Sequence, residues 1–224
     1  GTEGAVLFRF SPSGSRVVCF VPDKVQLKGE VRLVPVGGGP AIKVCEFTQQ
    51  GLLAPWGSGF VTDDELLVPS QDGSELYRVT ASGGAPQLVK RFDWKGALTG
   101  VDGSPRPGGR FAVVTRWMAD NTSSLHRVDL ETGETSPVLE DASSARFLEG
   151  GHLVFERDGR LWVAPFDLDR AVVTGPARVC LSGFSEVSLD RSGDRAVYRA
   201  KSELEGMESI VVVDSSGAVV QTLM

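Results

Sequence analysis

Short runs of β-branched and aromatic residues alternate with polar turns along the whole chain. Ala5-Val6-Leu7-Phe8-Arg9-Phe10 is followed by Ser11-Pro12-Ser13-Gly14, then by Arg16-Val17-Val18-Cys19-Phe20-Val21. Each run is short, and each junction holds Gly, Pro, Asp or Ser, the residues whose backbone preferences make turns. This pattern predicts strands throughout. Helical periodicity is absent apart from Lys201–Ser209, where a short helical turn competes with a charged hairpin loop.

The pattern repeats. First turns fall at Ser11–Gly14, Thr62–Glu65, Arg106–Gly109, Leu148–Gly151 and Arg191–Asp194, and later turns carry Gly39, Gly84, Gly133, Gly175 and Gly217. Successive members of the glycine column lie 42 to 49 residues apart. Four-stranded propeller blades repeat at about 40–50 residues, and loops of unequal length explain the drift because loop length costs little free energy. A second column keeps step with the first. Val31, Leu76, Leu125, Leu161 and Ile210 are each followed three positions on by Val34, Val79, Val128, Ala164 and Val213. The expected fold is therefore all-β, a β-propeller of four-stranded antiparallel blades. Five blades are visible, at approximately 5–46, 52–90, 92–140, 142–181 and 184–224, in one domain that is expected to be a segment of a larger ring. Open blade edges in such a segment would invite self-association.

Asp-Gly at Asp72-Gly73 and Asp158-Gly159 predicts tight hairpins. Pro22–Gly29 is expected to be a polar loop and Trp117–Ser124 a long one. The glycines of Gly37-Gly38-Gly39 read as a turn, since a phosphate cradle needs a following Lys-Ser/Thr and a helix. Asp63-Asp64 and Asp167-Leu168-Asp169 read as turn carboxylates rather than calcium ligands, which need several oxygens at fixed spacing.

Composition narrows the function. Hydrophobic residues make up 41% and charged residues 23%, the balance of a globular domain. The net charge is −6 and basic residues are dispersed. A nucleic-acid partner is not expected, because phosphate neutralisation needs a Lys/Arg stripe. No run approaches the roughly 20 apolar residues of a membrane span, so this segment is not expected to insert in a membrane. Cys19, Cys45 and Cys180 form no paired motif and read as buried free thiols. His126, in a predicted strand, and His152, at a turn, lack clustered partners. Ser58 and Ser185 lack the full nucleophile-elbow pattern. No catalytic residue, metal ligand or cofactor is assigned.

Of four tryptophans, Trp162 reads as core, while Trp56 and Trp94 sit at blade entries. Trp117 begins a loop beside Arg116, and an aromatic next to Arg on a rim is the usual anchor of a protein interface. Packing between blades is the competing reading for each of these tryptophans, and Arg116 and Trp117 are the candidate binding residues.

Several phrases resemble the TolB-type (WD-like) propeller repeat: Ser11-Pro12-Ser13-Gly14, with Ser13 in place of the usual Asp, and the Gly-Gly turns at Val34–Pro40 and Val79–Pro86. The chain also resembles the propeller that follows the kinase domain in many bacterial eukaryotic-like Ser/Thr protein kinases. Leu153–Asp167, Val173–Pro176 and Val212–Gly217 carry that resemblance. It implies a non-catalytic interaction or sensor domain that binds a protein or peptide, part of a larger bacterial signalling protein. An extracytoplasmic position in a membrane-anchored parent is favoured over the cytoplasm. No kinase motif lies in this chain. Two alternatives remain: a ligand-binding, carbohydrate-binding or enzymatic propeller using its central channel, and a structural assembly unit.

Overall fold

The computed structural model describes residues 6–23, 28–48, 57–70, 72–103, 109–189, 192–193, 195–200, 209–214 and 218–223. The turn at Arg106–Pro107–Gly108, Trp56, most of Lys201–Ser209, and Gly217 lie outside these residues. So do Arg191 and Asp194 of the fifth first turn.

Among the described residues there is no α-helix. The strands form five antiparallel sheets in sequence order. The first holds β1 (Val6–Phe10), β2 (Arg16–Asp23), β3 (Lys28–Pro35) and β4 (Ile42–Thr48). The second holds β5 (Gly59–Thr62), β6 (Glu65–Pro69), β7 (Glu75–Thr80) and β8 (Gln87–Arg91). The third holds β9 (Ala97–Gly103), β10 (Phe111–Trp117), β11 (Ser123–Asp129) and β12 (Thr135–Glu140). In the fourth, β13 (Ser143–Leu148), β14 (His152–Arg157) and β15 (Arg160–Asp167) are followed by an outer edge in two pieces. Both pieces, β16 (Val172–Val173) and β17 (Arg178–Ser182), pair with β15. The fifth holds β18 (Phe184–Leu189), β19 (Arg195–Ala200), β20 (Ser209–Asp214) and β21 (Val219–Leu223). The chain divides into two compact units, Gly1–Ala145 and Arg146–Met224.

Within the first unit, both faces of the second sheet are buried. Leu66, Val68, Tyr77 and Val79 join Val18, Val31, Leu33 and Val44 of the first sheet in one core. Leu67 and Leu76 join Leu98, Val101, Ala112, Val114 and Val128 of the third sheet in another. Successive residues of a strand point to opposite faces, so a strand packed on both sides reads as a continuous apolar run rather than an alternation.

The two sequence columns follow from this geometry. Positions three apart lie on opposite faces of a strand. Val31 and Leu76 meet the following sheet, whereas Val79 and Val128 meet the preceding one. Val79 and Val128 are 1% and 0% exposed. Val34, the corresponding residue of the first sheet, is half-buried. In the second unit, Leu161 and Val154 pack with Phe184, against which Leu148, Leu181 and Val187 are also placed.

The inner strands approach closely. A Cβ on Gly57 would lie 2.7 Å from the Thr99 carbonyl oxygen, and one on Gly59 would lie 2.2 Å from that of Val101. Gly57-Ser58-Gly59 is thus a strand entry stripped of side chains on the face that meets β9. Ser58 between them is buried.

Several expectations are corrected. Ser70–Ser74 is not a tight hairpin: the Ser70 amide donates to the Glu75 carbonyl, and the Ser70 hydroxyl accepts the Glu75 amide. The Ser11–Ser15 turn makes the same pair of bonds with Arg16. The shared sequence is Ser-x-x-Gly-Ser, and Ser at its first position caps the returning strand. Asp158 and Gly159, at φ 51° and 65°, do form the two-residue hairpin between Arg157 and its partner Arg160. The Pro22–Gly29 loop is shorter than expected, because Pro22 pairs with Gly29 and Asp23 with Lys28. Among the described residues, the β1–β2 pairing begins at Val6 and Phe20. Pro22, which has no N–H to give, is therefore bonded on one side only among the described residues. Cys19 and Cys45 are buried, but Cys180 is exposed on the outer strand β17. Trp162 is half-buried, its indole N–H donating to the Arg157 carbonyl at 3.2 Å, rather than a core residue. His152 opens β14 opposite Pro165 and is exposed.

Candidate functional site

The candidate residues Arg116 and Trp117 end β10. The expected loop from Trp117 to Ser124 shrinks to Met118–Thr122, because the ladder continues through Arg116–Ser124 and Trp117–Ser123 pairs. Backbone pairing does not require apolar side chains, so Ser123 and Ser124 concealed the strand in the sequence. The turn is self-contained. The Met118 amide donates to the Thr122 carbonyl, Asn121 sits at φ 65°, and Asp120 accepts from the Thr122 amide and hydroxyl at 3.0 and 2.7 Å. Those two bonds hold the Asp120 carboxyl below its ordinary pKa.

Adjacent positions on a strand project to opposite faces. The structure therefore places Arg116 and Trp117 at one strand end without joining their side chains. Arg116 lies on the face that carries Val114 and meets the second sheet. Its guanidinium carbon is 5.3 Å from the centre of the Trp94 ring, and its Nε donates to the Lys95 carbonyl at 2.8 Å. Trp94 stacks on Phe92 with centroids 4.3 Å apart and meets His126 in a T-shaped contact at 4.9 Å and 61°. His126 Nε2 is 3.0 Å from the Ser124 hydroxyl. Burial, and next the Arg116 charge, lower the His126 pKa, while Glu140 acts in the opposite direction. The sequence separated these groups by 34 residues from Phe92 to His126, and no local signal marked the cluster.

Trp117 is 40% exposed on the other face. Its backbone is fixed on both sides, by Ala97 on β9 and Ser123 on β11. Gly96, at φ 107°, packs so closely that a Cβ would lie 2.5 Å from the Trp117 carbonyl oxygen. The outcome is a large exposed ring on a strand end paired on both sides, with the half-buried Arg116 on the opposite face.

The other acidic candidates are engaged in turns. Asp63 accepts the Ser13 amide and hydroxyl, Arg16 donates to the Asp63 carbonyl and pairs with Asp64, and Asp167 accepts the amides of Asp169 and Arg170. Gly38 donates to the Pro35 carbonyl in a turn, with Gly38 and Gly39 at positive φ. A shallow depression of about 620 Å³ lies beside the first sheet, lined by Glu30, Arg32, Val34 and Lys43 among others. Glu30 pairs there with both Arg32 and Lys43. Among the described residues no group of three His, Cys, Asp or Glu is placed to hold a metal ion. No helix among them is long and apolar enough to cross a membrane.

No family model and no curated protein matches this sequence. Solved structures do. TolB from Acinetobacter baumannii superposes with a TM-score of 0.71 at 14% identity, over 96% of this chain and 53% of TolB. The fold is a TolB-like β-propeller. A chain of a nidogen–laminin complex matches at TM-score 0.69 and 13% identity, over 98% of this chain and 79% of its own. An oligogalacturonate lyase in complex with manganese matches at 0.61 and 16%, over 96% of this chain and 64% of the lyase. This chain thus spans between about half and four-fifths of these neighbours. At these identities the likeness concerns the fold, which hosts unrelated functions.

Proposed function

We propose that the chain is a non-catalytic interaction or sensor domain that binds a protein or peptide partner through the strand-end surface around Trp117. The observation that carries this reading is Trp117 itself. Its side chain is 40% exposed while its backbone is pinned between β9 and β11. A large aromatic already held in place loses little freedom on binding, which is why such residues dominate interface energetics. The nidogen–laminin neighbour, taken from an assembly of two proteins, supports the same class of role.

The parent that the sequence resemblance implies is a larger bacterial signalling protein such as a Ser/Thr kinase, with this domain on the extracytoplasmic side of a membrane anchor. We hold the kinase association and the location as proposals resting on that resemblance. The lyase neighbour favours a second reading, a ligand-binding or enzymatic propeller that uses its central channel.

The test is capture of binding proteins on the immobilised chain, comparing wild type, Trp117→Ala and Leu88→Ala. Leu88 is a surface control, exposed on β8. A partner retained by wild type and Leu88→Ala but lost with Trp117→Ala supports the proposal. Equal retention by all three overturns it, as does reproducible turnover of a small substrate with no partner found.

A further inference from the structure

We propose that His126 is a proton-sensitive latch on the Phe92–Gly96 segment that braces the Trp117 strand end. The geometry is a chain of contacts within the first unit. Ser124 on β11 bonds His126; His126 meets the Trp94 ring; Arg116 on β10 covers that ring and bonds the Lys95 carbonyl; Gly96 abuts the Trp117 carbonyl. Trp94 thus lies against two nitrogenous side chains at once. Its own indole N–H is buried and finds no acceptor among the described residues. The segment is held by the Phe92 amide donating to the Ser74 carbonyl at 2.8 Å, by the ring contacts and, at its far end, by the Arg116–Lys95 bond.

With His126 neutral, the indole carries a single cation. Protonation puts a second positive charge against the same ring, in a half-buried setting where repulsion is poorly screened. The charges acting on His126 are Arg116 on β10 and Glu140 on β12, and they oppose each other. From the second sheet, Leu67, Leu76 and Val89 pack in the adjoining core, while Arg78 donates to the Leu130 carbonyl and the Lys90 stem lies beside Gly133. Glu140 is exposed, whereas burial and Arg116 both resist the proton. The group that can yield is Arg116, half-buried at a strand end. Its departure releases the Lys95 carbonyl and the cover over Trp94 together. In acid the segment loosens and the brace behind Trp117 goes with it.

The sign follows from linkage. A histidine whose folded pKa is depressed stabilises the closed arrangement fully above its unfolded value of about 6.5. That stabilisation is lost as pH falls through the folded value. As regulation of the Trp117 surface, the latch rests on the binding reading. Its test uses the free protein, so a failed latch leaves binding standing and a missing partner leaves the latch standing.

The experiment is an NMR titration of the whole chain from pH 8 to pH 4, following the His126 and His152 ring protons, the Trp94 indole N–H and the Arg116 Nε–H. Trp94→Phe assigns the indole signal. The expected result is that the Trp94 and Arg116 signals move in step with His126, with a midpoint below about 6.5. They should not follow His152, and the step should vanish in His126→Gln. Should His126→Gln fail to fold, the wild-type comparison of His126 with His152 decides alone. The proposal is overturned if His126 titrates while Trp94 and Arg116 stay fixed, if the step follows His152, or if it persists in His126→Gln.

Discussion

Replacing Gly59 with Ala separates packing from propensity. By propensity alone, Ala in place of Gly within a strand stabilises by about 0.5–1 kcal/mol. The structure reverses that sign. The new Cβ would lie 2.2 Å from the Val101 carbonyl oxygen and 3.0 Å from its carbon, where ordinary contact begins at 3.4 Å. β5 and β9 must part by about 1.2 Å (3.4 minus 2.2) at a point where both strands are backbone and neither has a rotamer to change. Overpacking a close-packed interior costs roughly 1–3 kcal/mol and occasionally more. The clash here is with backbone, so about 3 kcal/mol is expected. With a urea dependence of about 1–3 kcal/mol per molar, the midpoint should fall by about 1 M or more. Gly37→Ala is the matched control, because nothing lies within 4 Å of its Cβ and its φ is not positive; its midpoint should stay near wild type. A Gly59→Ala protein that unfolds at or above the wild-type midpoint would refute the close approach of β5 to β9.

Three further outcomes follow from the same structure. Leu76→Ala, at a fully buried site between the second and third sheets, should lose about 2–5 kcal/mol in urea unfolding, whereas Val34→Ala at its half-buried site should lose clearly less; equal losses would contradict the face assignment of the two columns. Burial and the bond to Glu75 push the Tyr77 phenol up to about 12, so ultraviolet titration should show one of the two tyrosines ionising late, and the stability this group lends, complete below pH 10, should be lost as pH rises through 12. Both tyrosines ionising together near pH 10 would count against that pair. Finally, one thiol of three should react with a disulfide reagent in the native protein, namely the exposed Cys180, slowed by the burial that raises its pKa and by its bond to the Leu161 carbonyl, while Cys19 and Cys45, buried and with the Cys45 pKa raised to about 11, should react only on unfolding.

The fold was legible because blade packing imposes a rule on side chains. Leu76 and Val79 stand three apart because each sheet must bury both faces, and that spacing survives where turn signatures have eroded. The Asp158-Gly159 hairpin was legible for a local reason, positive φ at both residues. Other features were hidden by the same locality. Ser123 and Ser124 look like loop residues, yet they complete a ladder whose bonds are backbone bonds. Cys180 resembles Cys45 in position, but its strand is the split outer edge of the fourth sheet, where it is exposed. Gly57-Ser58-Gly59 falls short of a nucleophile elbow in the sequence, and the close backbone of β9 is what its glycines answer to. At the candidate site, the adjacency of Arg116 and Trp117 was visible, but strand alternation sends them to opposite faces. Trp94 and His126, which define what Arg116 does, are remote in sequence and meet only through the stacking of Phe92–Gly96 on the third sheet.

The binding claim stands or falls on the Trp117 ring. The most direct measurement is the affinity of a captured partner for the purified chain, by titration calorimetry, with wild type and Trp117→Ala matched for unfolding midpoint. Loss of a central aromatic anchor costs about 2 kcal/mol or more, so the dissociation constant should rise at least about 30-fold. A Trp117→Ala protein that is folded and binds its partner as tightly as wild type would contradict the account.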